Sequence, residues 1–115
     1  MLKLFGIKNC DTVKKARKWL DSHDLDYIFH DFRADGLEKK QVEIWIEKLG
    51  TDILVNRRST TYRGLSEKDK SKLDNNDAVD LLVVHPTLIK RPVLEHTNHC
   101  MVGFKANDYE KLLEV

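Results

Sequence analysis

Only two cysteines occur in the 115 residues, Cys10 and Cys100. They are too few and too far apart for a disulfide framework, and they suit a reducing compartment in which a thiol stays reactive. Long apolar runs are lacking as well. The longest, Ala78 to Val84, is interrupted by Asp80 and is far too short to span a bilayer. The opening Met1-Leu2-Lys3-Leu4 lacks the apolar region of a secretory signal, so the chain is expected in the cytosol and away from membranes. Net charge is almost absent, 20 Lys and Arg against 19 Asp and Glu leaving +1. No global field draws the chain onto nucleic acid or lipid, so partners must be recognised locally. No internal repeat, low-complexity tract or linker is visible. The length suits one compact domain over residues 1–115.

What is present is organised around Leu4-Phe5-Gly6-Ile7-Lys8-Asn9-Cys10-Asp11-Thr12. Leu2, Leu4 and Phe5 read as a buried strand and Gly6 as the start of a turn. From Thr12 the spacing becomes helical, with Val13, Ala16 and Leu20 on one face. Asp11 or Thr12 is the expected N-cap. A sulfur at position 10 would then lie near unpaired backbone N–H groups and the positive end of the helix dipole, with Lys8, Lys14 and Lys15 nearby. Such a setting favours a thiolate. The plainer alternative, a small buried hydrophobe, suits a cysteine inside an apolar run, whereas Cys10 follows one.

The helix should end at Asp21-Ser22-His23-Asp24, with a second strand over Tyr27 to Phe32. Strand, helix and strand form a crossover unit, which puts the end of the first strand, and Cys10, at a natural site edge. After the Asp35-Gly36 turn, Val42, Trp45, Ile46 and Leu49 predict a helix over 37–49 that stops at Gly50. The stretch from Leu54 to Leu65 matches neither period and reads as a basic loop carrying Arg57, Arg58 and Arg63. Simple exposure and forked binding of an oxyanion are both open for it. Ser66-Glu67 opens a short helix, and Asn75-Asn76-Asp77 is expected to cap another that stops before His85-Pro86. Val93 to Glu95 and Met101 to Phe104 read as strands joined by a Thr97-Asn98 turn, and Asn107-Asp108 as the cap of a last helix. The order is β-α-β, then helices, then β-β-α. This is an α/β thioredoxin-like plan, a four-stranded mixed sheet with a helical insertion at about 37–84 between strands two and three.

Four stretches resemble the arsenate reductase-like (ArsC) family, which includes ArsC reductases, Spx regulators and YffB-type proteins. They are Gly6 to Ala16, Tyr27 to Asp31, Asn56 to Leu65, and His85-Pro86-Thr87-Leu88-Ile89-Lys90-Arg91-Pro92-Val93. The strings Gly-Ile-Lys-Asn-Cys-Asp-Thr and Asn-x-Arg-x-Thr-Thr look most like the YffB type. The resemblance implies that Cys10 is the nucleophile, that Arg91 binds the anion beside it, and that the bond before Pro92 is cis. Arg58 matches the loop arginine of the Spx and YffB types, with Lys8 and Asn9 as supports in the turn. The reductases carry arginines where this chain has Asn56 and where it has Phe104 or Lys105, which argues against efficient arsenate turnover. The second cysteine of the Spx type is replaced by Val13, which excludes an internal dithiol switch.

A single reactive thiol needs an outside thiol to resolve its mixed disulfide, and glutathione is the expected co-substrate, with no bound cofactor. Cys100 is a poor internal partner because it falls in the presumed hairpin, and a disulfide needs Cα atoms within about 7 Å. His96, His99 and Cys100 lie close in sequence but lack a fourth ligand at zinc-motif spacing, so no metal is expected. His85 beside Pro86 reads as part of a structural turn. The expected activity is that of a monomeric thiol reductase. The alternatives are a true arsenate reductase and an Spx-like adaptor that docks on a protein such as RNA polymerase.

Overall fold

A computed structural model describes residues 2–74 and 77–115. The elements in chain order are β1 (Leu2–Gly6), α1 (Asp11–Ser22), β2 (Ile28–Asp31), α2 (Lys39–Leu49), α3 (Thr51–Leu54), α4 (Thr60–Arg63), α5 (Glu67–Lys72), α6 (Ala78–Val84), a 3-10 turn (Pro86–Leu88), β3 (Val93–His96), β4 (His99–Val102) and α7 (Ala106–Leu113). They fall into two compact units. One comprises the residues through Asp35 together with Arg91–Val115, and the other Gly36–Lys90.

The first unit is the thioredoxin-like α/β part. Its sheet has the order β2-β1-β3-β4, with β1 parallel to β2 and the other neighbours antiparallel. In the register Leu4 faces Phe29 on one side and Leu94 on the other, and Leu94 faces Met101. These residues share one sheet face because side chains alternate along a strand. The apolar stripe of α1 meets that face: Leu2, Leu4, Ala16, Leu20, Leu94 and Tyr109 form a buried cluster, with Trp19, Phe104 and Leu112 packed against it. Each fully buried leucine contributes about 1.5–3 kcal/mol relative to exposure. Tyr109 adds edge-on contacts to Trp19 and Phe104, at centroid distances of 5.5 and 4.9 Å.

Several element ends differ from the sequence reading. β2 stops at Asp31 because that carboxylate turns the chain, and β4 begins at His99 because a tight Thr97-Asn98 turn pairs His96 with His99. Gly103, at φ +78°, takes the chain out of β4 early, so α7 starts at Ala106 after an extended Lys105, ahead of the cap predicted at Asn107-Asp108.

In the second unit α2 packs on α3 and α6, with Val42 and Trp45 fully buried. Gly50, at φ +79°, ends α2 and lets α3 begin at once. The predicted irregular basic loop contains structure. Val55 bridges Ile89, and Ser59 caps α4 by accepting the Tyr62 N–H at 3.1 Å. The local cause is a pair of side chains bonding to nearby backbone, Ser59 here and Asn56 to the Arg58 N–H at 3.1 Å. The cap predicted at Asn75-Asn76 lies outside the described residues, and the adjoining Asp77 makes no side-chain capping bond to α6. Among the described residues no helix is long and apolar enough to cross a membrane.

Candidate active site

Cys10 closes the turn between β1 and α1, and it is the N-cap of α1 in place of the predicted Asp11 or Thr12. Its backbone is extended, φ −136° and ψ 124°, and its carbonyl accepts the Lys14 N–H at 2.9 Å. A serine or aspartate here would direct an oxygen at the first-turn N–H groups. The Cys10 thiol makes no such capping bond and is partly exposed. It therefore stands, partly exposed, at the positive end of a twelve-residue helix dipole. Lys8 and Asn9 are exposed on the turn, and Lys14 and Lys15 on the first turn of the helix.

Gly6 permits this entry into α1. It is buried in β1, and a Cβ there would lie 2.7 Å from Val13 Cγ2. The absence of a side chain thus lets the helix lie directly against the strand that feeds it.

The register brings two further segments to the same end of the sheet. Val93 faces Phe5 in an antiparallel pair, so Arg91 and Pro92 come at the end of β1 from which the Cys10 turn departs. The Arg91-Pro92 bond is cis, as the resemblance implies. Pro92 is buried, its carbonyl accepts the Gly103 N–H at 2.9 Å, and Arg91 is half-buried. From the other side, Gly6 pairs with Asp31.

Asp31 is a residue to which the sequence reading gives no role. Its carboxylate is buried. Oδ1 accepts the N–H groups of Arg33 at 2.8 Å and Ala34 at 3.1 Å, and Oδ2 accepts that of Lys8 at 3.3 Å. Burial pushes the carboxyl up, but the Ala34, Arg33 and Lys8 N–H groups and the Lys8 charge outweigh it and hold the group below the ordinary aspartate value. An aspartate ending a β-rich run ahead of Asp35-Gly36 is a visible turn signal, but nothing local shows that it also reaches Lys8.

The remaining predicted residues belong to other segments. Arg58 belongs to the Gly36–Lys90 unit, where its side chain is exposed. Its neighbour Arg57, on the loop for which the sequence leaves simple exposure and oxyanion binding both open, is the anchored arginine. It lies 3.5 Å from Asp52, 3.6 Å from Asp74 and over the Tyr62 ring. Cys100 faces Glu95, which faces Lys3. Lys3 precedes Gly6 by about 10 Å of strand, and Cys10 lies beyond Gly6, so the two thiols exceed disulfide reach and no disulfide joins them. Among the described residues no group of three His, Cys, Asp or Glu side chains is placed to hold a metal ion. Chemically, the arrangement offers one partly exposed cysteine at a helix N-terminus, with an arginine-proline segment at the same end of the sheet.

Known proteins share this architecture over nearly the whole chain. An uncharacterized protein of Haemophilus influenzae is 44% identical over 110 residues, covering 96% of each chain. The solved structure of a YFFB protein superposes with a TM-score of 0.92 at 43% identity, covering 96% of this chain and 97% of that one. A global transcriptional regulator, Spx 1 of Lactococcus lactis, is 26% identical over 115 residues, covering 98% of this chain and 89% of its own. The family model that matches residues 5–112 is that of the ArsC family, to which this chain belongs.

Proposed function

We propose that this chain is a thiol-dependent oxidoreductase linked to glutathione, with Cys10 as its nucleophile. The observation that carries the reading is the place of Cys10, a partly exposed residue at the N-cap position of α1 just beyond β1, with Cys100 out of reach. In the proposed cycle the Cys10 thiolate attacks the glutathione sulfur of a mixed disulfide R–S–S–G. The substrate leaves as R–S⁻, and Cys10 becomes glutathionylated. A second glutathione, as its thiolate, attacks the glutathione sulfur on Cys10, freeing the Cys10 thiolate and forming glutathione disulfide. The net exchange turns R–S–S–G and one glutathione into R–SH and glutathione disulfide: one disulfide bond breaks and one forms, the sulfur of R is reduced as that of the incoming glutathione is oxidised, and R–S⁻ takes up the proton lost by the incoming thiol.

Arg91 is assigned a carboxylate of glutathione, since it lies at the same end of the sheet and a guanidinium binds a carboxylate through two parallel bonds. Lys8 and Asn9 support the turn, and Pro92 shapes the edge beside Arg91. Arg58→Ala tests the separate expectation that Arg58 also binds an anion. Intact-mass analysis after glutathione disulfide treatment tests the reading. The expected result is one adduct on the wild type, reversed by excess glutathione, and none at this site in Cys10→Ser. A wild type that takes up no adduct at Cys10 overturns the reading.

The similarity to Spx 1 supports a second reading, docking on a larger protein such as RNA polymerase. A chain that forms no Cys10 adduct but co-purifies with RNA polymerase favours it. Arsenate turnover is expected to be weak or absent, and efficient glutathione-dependent release of arsenite would replace the thiol-reductase reading with that of an arsenate reductase.

A further inference from the structure

Asp31 is a buried carboxylate that the thiol chemistry leaves without a task. Its oxygens divide between two loops. Oδ1 closes the turn after β2 through Arg33 and Ala34, and Oδ2 reaches the Lys8 N–H at 3.3 Å, 23 positions away in sequence. Beside this link the Phe32 N–H donates to the Gly6 carbonyl at 2.8 Å, so the two chains leave the sheet together. Lys8 stands two residues before Cys10, whose side chain has no capping bond of its own.

We propose that Asp31 is a positioning residue for Cys10: its Oδ2 holds the Lys8 N–H and so fixes the turn from which the sulfur is presented at the start of α1. The proposal rests on the reading of Cys10 as the nucleophile. A carboxylate suits the position because both oxygens accept. Asparagine must direct an NH₂ group at either Lys8 or the Arg33-Ala34 turn, where it meets another donor. Serine keeps one acceptor for the turn after β2 but has no second oxygen for Lys8.

The test is the alkylation rate of Cys10 by iodoacetamide, followed against pH to its plateau in folded protein with Cys100 replaced by serine. Asp31→Asn and Asp31→Ser are expected to lower the plateau about tenfold, the equivalent of about 1.4 kcal/mol in a barrier, and to speed hydrogen exchange of the Lys8 amide by a similar factor. Asp35 accepts the Asp31 N–H at 3.0 Å, and Asp35→Asn keeps an acceptor there, so it is expected to leave both readouts unchanged. Asp31 variants that melt earlier but keep the wild-type plateau and pH profile would overturn the proposal, as would an equal loss in Asp35→Asn. If the Asp31 variants do not fold, the wild type decides: a Lys8 amide that exchanges as fast as an unstructured peptide overturns it, and a protected one supports it. Alkylation requires no glutathione chemistry, so a wild type that forms no glutathione adduct sinks the functional reading while these rates still decide the role of Asp31.

Discussion

Asp31 ties its own ionisation to stability. Its folded-state pKa lies below the ordinary value of 3.8, because the N–H bonds it accepts outweigh its burial. A depressed carboxyl contributes stability that is present above the unfolded pKa and lost as pH falls through the folded one. Urea unfolding of wild type and Asp31→Asn from pH 7 downward should therefore show a constant gap above about pH 4, shrinking at lower pH. A gap that stays constant to pH 2 would contradict this. Cys10 shows a different residue-scale feature. As an N-cap without an oxygen it gives up the usual capping bond, a loss of about 1 kcal/mol. In return the thiol is left without a capping bond at the start of α1.

At the scale of elements, the junction of β1 with α1 depends on Gly6. Replacing glycine by alanine in a strand often stabilises by about 0.5–1 kcal/mol through lost chain entropy. Here the added Cβ would lie 2.7 Å from a methyl of Val13, which is fully buried and β-branched. Overpacking of that kind costs about 1–3 kcal/mol, and a stiff valine cannot swing away, so the clash wins. Gly6→Ala is expected to lower stability by about 1–2 kcal/mol in urea unfolding. A variant as stable as the wild type would show that α1 can shift. At the hairpin, Gly103 donates to Pro92 while its carbonyl accepts from Tyr109 Oη at 3.1 Å, joining the Arg91-Pro92 segment to α7.

At the scale of the whole molecule, the two basic stretches belong to different units and should separate in experiment. Arg91→Ala should slow glutathione exchange at Cys10 about tenfold or more, the effect of losing a hydrogen bond to a carboxylate. Arg57→Ala removes partly exposed contacts to Asp52, Asp74 and Tyr62, and should change stability by less than about 1 kcal/mol with exchange unaffected. Equal slowing by both variants, checked with rates and melting curves together, would remove the special role assigned to Arg91.

Local patterns in the sequence determined much of this protein. The 3–4 spacing of Val13, Ala16 and Leu20 specifies the buried face of α1, the helix signals at Ser66 and Gly50 mark real element ends, and Leu2 and Leu4 give β1 its inner face. Each rests on interactions between residues within one or two turns or strand repeats, so the order β-α-β, helices, β-β-α was legible, as was the place of Cys10 after the first strand. Tertiary structure decided what depends on distant partners. Asp31 meets Lys8 only because β2 lies parallel to β1, and Arg91 shares an end of the sheet with Cys10 only through the antiparallel register of β3. Arg57 is anchored while Arg58 is exposed because Asp52 and Asp74, from separate segments, converge on one and not the other. Such pairings depend on strand register and chain packing, which a one-dimensional pattern of apolar and charged residues does not encode.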